Sequence, residues 1–161
     1  MNGEDTRNFH DSLGRLLPLK EVVGEILLFM QAVPDRHYKV IIGTDSEDHQ
    51  GVSFVSAIVV HRERNGGRYW WRKFHAPSFK VLRDRIYQEA VISLQVAEEL
   101  LELLRNENKT ELDLEIHLDV GMVGETRTMI QEVVGMVKGS GFQVRTKPES
   151  YGATKVADRH V

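Results

Sequence analysis

The fold is decided by the stretch Tyr38-Lys39-Val40-Ile41-Ile42-Gly43-Thr44-Asp45-Ser46-Glu47. Its β-branched and aromatic side chains favour extended structure, and Gly43 lets the backbone pass close to a neighbouring strand or a ligand. The stretch therefore predicts a buried strand with Asp45 at its carboxyl end. Because burying an unpaired carboxylate costs free energy, we expect Asp45 to be paired, hydrogen-bonded or bound to a metal ion.

The composition narrows the class of protein. A length of 161 residues is typical of one domain, so we expect a single domain over residues 1–161 with an irregular lead-in at 1–17. The net charge of -3 excludes a global basic field of the kind that binds nucleic acid non-specifically. The absence of cysteine excludes disulfides, thiolate zinc sites and a cysteine nucleophile. No targeting or membrane-spanning stretch is evident, and we expect a soluble cytoplasmic protein without membrane contact.

The first half of the chain predicts one helix and three strands. Apolar residues recur at three- and four-residue steps over 19–31, which is typical of a helix, and Pro34 ends it. Two more strands are predicted at 52–62 and 68–74, and Asn65-Gly66 is typical of the hairpin turn between them. Three consecutive strands joined by short turns predict an antiparallel meander.

The next segment, 79–105, predicts a long helix that carries a misplaced acid. At about 100° per residue, Glu89 lies between the azimuths of Leu82 and Ser93, which belong to the buried stripe. We therefore expect Glu89 to face the sheet. The alternative is that Glu89 pairs with Arg85 or faces solvent.

A strand predicted at 112–120 has Asp119 at its carboxyl end. A strand, a crossover helix and a second strand most simply pair in parallel, which would bring Asp45 and Asp119 to the same edge of the sheet. His117, on the polar side of this strand, is expected at the surface. The remaining predicted elements are a helix at 125–138, a strand at 142–146 and a helix start at 153–161.

Four acids thus occur on the predicted elements in the order Asp45, Glu89, Asp119 and Asp158. This order resembles the ribonuclease H-like superfamily, whose members share a β-β-β-α-β-α-β-α core with carboxylates in that order. Over roughly residues 20–161 the chain is also similar to the bacterial YkuK-like proteins, an uncharacterised family assigned to that fold. The motifs that carry the similarity are Gly43-Thr44-Asp45-Ser46, His117-Leu118-Asp119-Val120-Gly121 and Lys155-Val156-Ala157-Asp158-Arg159-His160.

The resemblance implies an α/β fold with a five-stranded mixed sheet, in which two parallel strands join the meander and helices flank the sheet. It also implies a hydrolase that cleaves nucleic acid with two Mg²⁺ or Mn²⁺ ions, which are hard cations that prefer carboxylate and water ligands. By similarity, Asp45 would bridge both ions, Glu89 and Asp119 would each complete one shell, and Asp158 would hold the second ion. His49, His117 and His160 are candidates to orient water or the leaving group, or to bind metal, and His160 is the strongest because it follows Asp158 closely.

Basic residues near the last acid are candidates to contact a nucleic-acid backbone, namely Lys147, Lys155 and Arg159. The alternative is that they only balance the acids. The chain has no basic insertion like the substrate handle of some cellular ribonucleases H, so hybrid specificity does not carry over. With an acidic charge balance and no clamp, we hypothesise that a second copy or a protein partner helps to hold the substrate.

Other interpretations of the same residues remain open. Asp45 and Asp119 can each serve as turn residues after a strand, and Asp158 can start a solvated helix. Trp70-Trp71 flanked by cations suggests base stacking, but adjacent strand residues point to opposite faces, so one tryptophan is expected in the core. The rival functions are a non-catalytic binding or scaffold module of the same fold and a small-molecule phosphohydrolase.

Overall fold

The computed structural model describes residues 7–76, 79, 81–108, 112–120, 127–147, 156–157 and 159–160. Its helices and strands are, in chain order, β1 (Phe9–His10), β2 (Leu16–Leu17), α1 (Leu19–Ala32), β3 (Tyr38–Asp48), β4 (Val52–Arg62), β5 (Gly67–Ala76), α2 (Leu82–Asn106), β6 (Asp113–His117), α3 (Arg127–Gly139) and β7 (Gln143–Arg145). The strands form one mixed sheet in the order β2-β1-β5-β4-β3-β6-β7. The predicted α/β class is confirmed. No helix within the described ranges is both long and apolar enough to cross a membrane.

The predicted antiparallel meander is also confirmed. β4 pairs with β3 along its whole length and with β5 on its other side. The turn between β4 and β5 needs glycine twice. Gly66 has a φ of 79°, and a Cβ on Gly67 would lie 2.7 Å from the carbonyl oxygen of Val60. The Asn65-Gly66 signal in the sequence therefore has a direct steric basis.

Parallel pairing brings the second half of the chain to the far side of β3. β6 lies beside β3 with His117 opposite Gly43, and β7 lies beside β6 with Arg145 opposite His117. The carboxyl ends of β3 and β6 therefore lie at the same edge, as predicted. The strand predicted at 112–120 is shorter, because regular pairing stops at His117 and Asp119 lies just beyond it.

The expected count of five strands is wrong, because the sheet has seven. The two additional strands, β1 and β2, come from the segment predicted as an irregular lead-in at 1–17. β1 pairs with β5 through His10 and Trp71, and the Asp11 side chain closes the β1–β2 turn by accepting backbone N–H bonds from Leu13 and Arg15 at 2.9 and 2.8 Å. Strands of two residues are too short to show the alternation from which a strand is predicted.

The main core lies on one side of the sheet, against α1, α2 and α3, and we call this side the helix face. Trp70 is fully buried there. The opposite side, called here the second face, carries a smaller cluster in which Ala157 packs with Ile41, Val55 and Ala57, with Trp71 partly buried beside them. The adjacent tryptophans therefore point to opposite faces, and Trp70 fills the core.

Candidate active site

Hydroxyl groups connect β3 to α2 on the helix face. The Ser93 hydroxyl donates to Oγ1 of Thr44 at 2.8 Å, and the Thr44 and Ser56 hydroxyl oxygens lie 3.0 Å apart. One turn earlier on α2, Glu89 accepts a hydrogen bond from the Ser46 hydroxyl through Oε1. Because positions i and i+4 share a helix face, Ser93 and Glu89 both meet the end of β3. Glu89 therefore faces the sheet, as its helical position predicts.

The surroundings of Glu89 disfavour its charged form. Burial raises the pKa of Glu89 most strongly, and the negative charges of Asp45 and Asp119 raise it further. The hydrogen bond from Ser46 and the charge of Arg85 act in the opposite direction, and the resulting pKa is about 8. Glu89 therefore carries a proton at neutral pH unless a cation compensates its charge.

Asp45 approaches the same sheet edge from the other side. It follows Thr44, which bonds to α2, so strand alternation places Asp45 on the second face. Its strand partner, Val55, belongs to the cluster on that face. Oδ1 of Asp45 accepts the backbone N–H of Ser46 at 2.9 Å. The carboxylates of Asp45 and Glu89 thus flank the end of β3 from opposite faces of the sheet.

Asp119 is held by a cation from the neighbouring strand. Oδ1 of Asp119 lies 3.0 Å from Nζ of Lys147. The backbone N–H of Lys147 donates to the carbonyl oxygen of Val120 at 2.9 Å, which extends the alignment of β6 and β7 past their formal ends. Lys147, predicted to contact substrate, is therefore ion-paired with one of the candidate metal ligands.

A second polar cluster lies one step back from the acids, on the second face, and sequence reasoning missed it. The Glu115 side chain is only 2% exposed. Its Oε2 lies 3.0 Å from Nε2 of His117, and its Oε1 lies 3.2 Å from Nζ of Lys39 and 3.5 Å from Nε of Arg145. We call these four residues the Glu115 cluster. Burial acts to raise the pKa of Glu115, but the hydrogen bonds and charges of His117 and Lys39 outweigh it and hold the pKa below its usual value.

The expectation that His117 lies at the surface is wrong, because it is 3% exposed. An ionised Glu115 can only accept, so Nε2 of His117 carries the hydrogen in their bond. Burial lowers the pKa of His117, with Glu115 opposing that change. The sequence signal was available in part, since charged residues alternate with apolar ones along β6 and charged residues also occur on β3 and β7. Their pairing depends on the sheet order.

His160, predicted as catalytic, stacks on Trp71 with ring centroids 4.1 Å apart and planes 8° apart. Burial lowers the pKa of His160, and the charges of Arg159, His10 and Lys73 lower it further. Trp71 belongs to β5, which is separated from β3 by β4. The structure therefore places Asp45, Glu89 and Asp119 near one edge of the sheet but places His160 against a different strand.

Two other predicted site residues, Arg159 and His49, lie at the surface. Nε2 of His49 lies 2.5 Å from the Glu47 carboxylate. Asp158 and Lys155 lie outside the described residues, so their roles stay predictions.

The donor chemistry fits a hard divalent cation, because three acids lie near one sheet edge and the pKa of Glu89 is raised by burial and further by the charges of Asp45 and Asp119. Within the described part of the chain, however, no three His, Asp or Glu side chains are arranged closely enough to ligate one ion. Rotation of side chains or a further ligand would be required to complete the shell. A carboxylate cluster without its cation is expected to spread apart because like charges repel.

Comparison with known proteins agrees with this architecture. The model of the ribonuclease H-like family matches residues 21–161. The chain belongs to the ribonuclease H-like family. It is also 28% identical to the uncharacterized protein YkuK of Bacillus subtilis (strain 168), over 96% of this chain and 97% of that protein. The resemblance found in the sequence motifs is therefore confirmed. No solved structure matches the chain.

Family membership indicates a nuclease or another nucleic-acid-related function. The relative from Bacillus subtilis gives no information about the activity, because it is itself uncharacterised.

Proposed function

We propose that this chain is a divalent-metal-dependent nuclease that hydrolyses phosphodiester bonds of nucleic acid by in-line attack of water. Asp45, Glu89 and Asp119 would hold Mg²⁺ or Mn²⁺, and Asp158 is the proposed fourth ligand. When bound, such ions activate the attacking water and stabilise the leaving oxygen.

The environment of Glu89 is the observation that carries this proposal. A glutamate turned from a helix toward two aspartates at a strand end costs free energy, and its pKa of about 8 expresses that cost. A structural site would compensate the acid with a cation, as the Glu115 cluster does with Lys39 and Arg145. Acids whose pKa is strongly shifted by burial and by neighbouring charges are typical of functional sites.

The chain's own residues have distinct parts in this proposal. Asp45 and Asp119 present carboxylates at the carboxyl ends of adjacent parallel strands, where open α/β sheets bind ligands. Ser46 orients the Glu89 carboxylate through its hydroxyl. Lys147 neutralises Asp119 until a stronger cation competes for it.

The first test is a titration of the protein with Mn²⁺ and Mg²⁺, in which calorimetry measures binding and thermal unfolding measures stabilisation. We expect the wild type to be stabilised by the ions and Asp45→Asn to lose the response, because Asn lacks the negative charge that a hard cation prefers. Asp35→Asn is a matched control, since Asp35 is exposed in the turn after α1 and should leave the response unchanged.

The second test is hydrolysis of single- and double-stranded DNA and RNA with the same ions. We expect Asp45→Asn to lower the rate at least 100-fold, as is typical when an essential electrostatic group is removed. If the wild type binds nucleic acid but neither responds to divalent ions nor cleaves, the nuclease proposal is wrong and a non-catalytic binding module takes its place.

A further inference from the structure

The Glu115 cluster places a cation, Arg145, on the strand next to the candidate active site. Glu115 is buried, and its Oε1 lies 3.5 Å from Nε of Arg145. Nε is the inner nitrogen of the guanidinium group, so this contact leaves the terminal nitrogens of Arg145 directed elsewhere. The Arg145 side chain is 50% exposed. Nε of Arg145 therefore lies against a buried acid, while part of the side chain reaches solvent.

The cluster has more positive than negative charge. Lys39 and Arg145 both pair with Glu115, through Nζ at 3.2 Å and Nε at 3.5 Å from its Oε1. Two cations around one carboxylate leave one positive charge in excess. If Glu115 only neutralised a buried strand, a single cation would suffice, so the second cation is available to another anion.

Arg145 and Lys147 also have a spacing that suits a chain of anions. Arg145 ends β7, and Lys147 follows two residues later, where its backbone N–H bond to Val120 continues the alignment of the two strands. Arg145 contacts Glu115 of β6, and Lys147 contacts Asp119 just beyond β6. Alternate residues of a strand are separated by about 6.5–7 Å on one face. This distance is comparable to that between consecutive phosphates of an extended nucleic-acid strand.

We propose that Arg145, held by Glu115, binds a backbone phosphate of a nucleic-acid strand next to the phosphate at the acidic edge, with Lys147 between the two positions. This inference rests on the proposed nuclease function and adds a substrate subsite to it. Arg145 is a substrate-binding residue, and Glu115 is the positioning residue that acts through it. The end of β7 therefore supplies phosphate contacts on the side of Asp119 that is remote from β3.

The test compares Arg145→Gln with the wild type in binding a fluorescently labelled single-stranded oligonucleotide. Fluorescence anisotropy is measured at several salt concentrations with Ca²⁺ present, in both DNA and RNA versions. We expect about ten-fold weaker binding, because a charge-assisted hydrogen bond is lost. The slope of log affinity against log salt should become about 0.7 shallower, as expected for one phosphate contact on a single strand.

Arg105→Gln is the matched control. Arg105 is exposed in the last turn of α2, and its substitution removes the same charge far from β7. Affinity and salt slope should match the wild type. A general loss of positive charge would weaken both variants equally, and that result would overturn the subsite.

Glu115→Gln separates positioning from charge. It removes the negative charge of the cluster, so a purely electrostatic effect would strengthen binding, whereas loss of the contact that positions Arg145 should weaken binding about three-fold. Thermal unfolding run in parallel identifies the fraction of folded protein. Stronger binding by the folded variant would show that Glu115 does not position Arg145.

The outcomes separate this inference from the proposed function. If the wild type cleaves nucleic acid while Arg145→Gln binds with unchanged affinity and salt slope, the subsite is wrong and the nuclease proposal stands. If Arg145→Gln weakens binding but neither protein cleaves with Mg²⁺ or Mn²⁺, the subsite stands and the nuclease proposal fails. If the wild type binds neither oligonucleotide, the subsite is wrong.

Discussion

Two glutamates, Glu89 on α2 and Glu115 on β6, lie near the same sheet edge in opposite electrostatic surroundings. Burial acts to raise the pKa of both. For Glu89 the neighbouring charges of Asp45 and Asp119 add to that effect, and the pKa reaches about 8. For Glu115 hydrogen bonds and cations reverse it, and the pKa falls below its usual value. The protein therefore compensates the charge of Glu115, but it compensates that of Glu89 only in part, through Ser46 and Arg85.

This difference in electrostatic surroundings indicates that the two glutamates have different roles. A buried carboxylate surrounded by cations has its charge compensated without a bound metal ion, and removing it leaves those cations without their partner. A carboxylate turned toward other acids weakens the empty protein and gains stability when a cation binds. On this basis we assign Glu89 to the candidate active site, whereas Glu115 links the strands and positions Arg145 beside that site.

The largest expected effect on stability comes from removing the negative charge of Glu115, which neighbouring cations compensate. Glu115→Gln should lower the free energy of unfolding by about 2–3 kcal/mol, because Lys39, His117 and Arg145 lose their common acceptor. Urea unfolding at pH 7 measures the change. Glu102→Gln, at an exposed position of α2, is the control and should change stability by less than about 0.5 kcal/mol. Equal stability of the two variants would contradict the structural role of Glu115.

The two acids should also give stability curves of opposite slope against pH. Since the pKa of Glu89 is raised from 4.5 to about 8, the folded state keeps a proton that the unfolded state loses between these values. Its contribution to stability is therefore present below pH 4.5 and is lost as the pH rises to 8. The lowered pKa of Glu115 has the opposite sign, and its contribution is lost as the pH falls below 4.5.

Urea unfolding in a chelating buffer from pH 4 to 9 tests this pair of slopes. Glu89→Gln should remove the alkaline decline and exceed the wild type by about 1–3 kcal/mol at pH 8.5. Glu115→Gln should retain the alkaline decline. An alkaline decline of the same size in Glu89→Gln would show that another group causes it.

The smallest expected effect concerns the cation at Asp119. Lys147→Met removes an ammonium group that lies 3.0 Å from Oδ1 of Asp119 and competes with a divalent ion for that oxygen. We expect Mn²⁺ affinity to rise about two- to five-fold, since an exposed ion pair contributes up to about 1 kcal/mol. Calorimetry measures the affinity, with Lys138→Met on α3 as the control. Weaker Mn²⁺ binding would indicate that Lys147 supports the site instead.

Local patterns were sufficient for much of the fold. The alternation in β3 and β4, the Asn65-Gly66 turn and the helical spacing around Glu89 involve neighbours within a few residues, so a single segment contains the signal. The short hairpin of β1 and β2 was missed, because its stability comes from Asp11 and from pairing with β5, and two-residue strands show no periodicity.

The sequence by itself determined the order of the elements and the acids that they carry, because hydrophobic periodicity and turn chemistry act over short distances. It also determined that Glu89 points inward. Only the tertiary structure decided that the polar side of β6 is buried, since the cations that compensate Glu115 come from β3 and β7, which are distant in sequence. Whether a charged residue on a strand is buried and ion-paired depends on which strands lie beside it in the sheet.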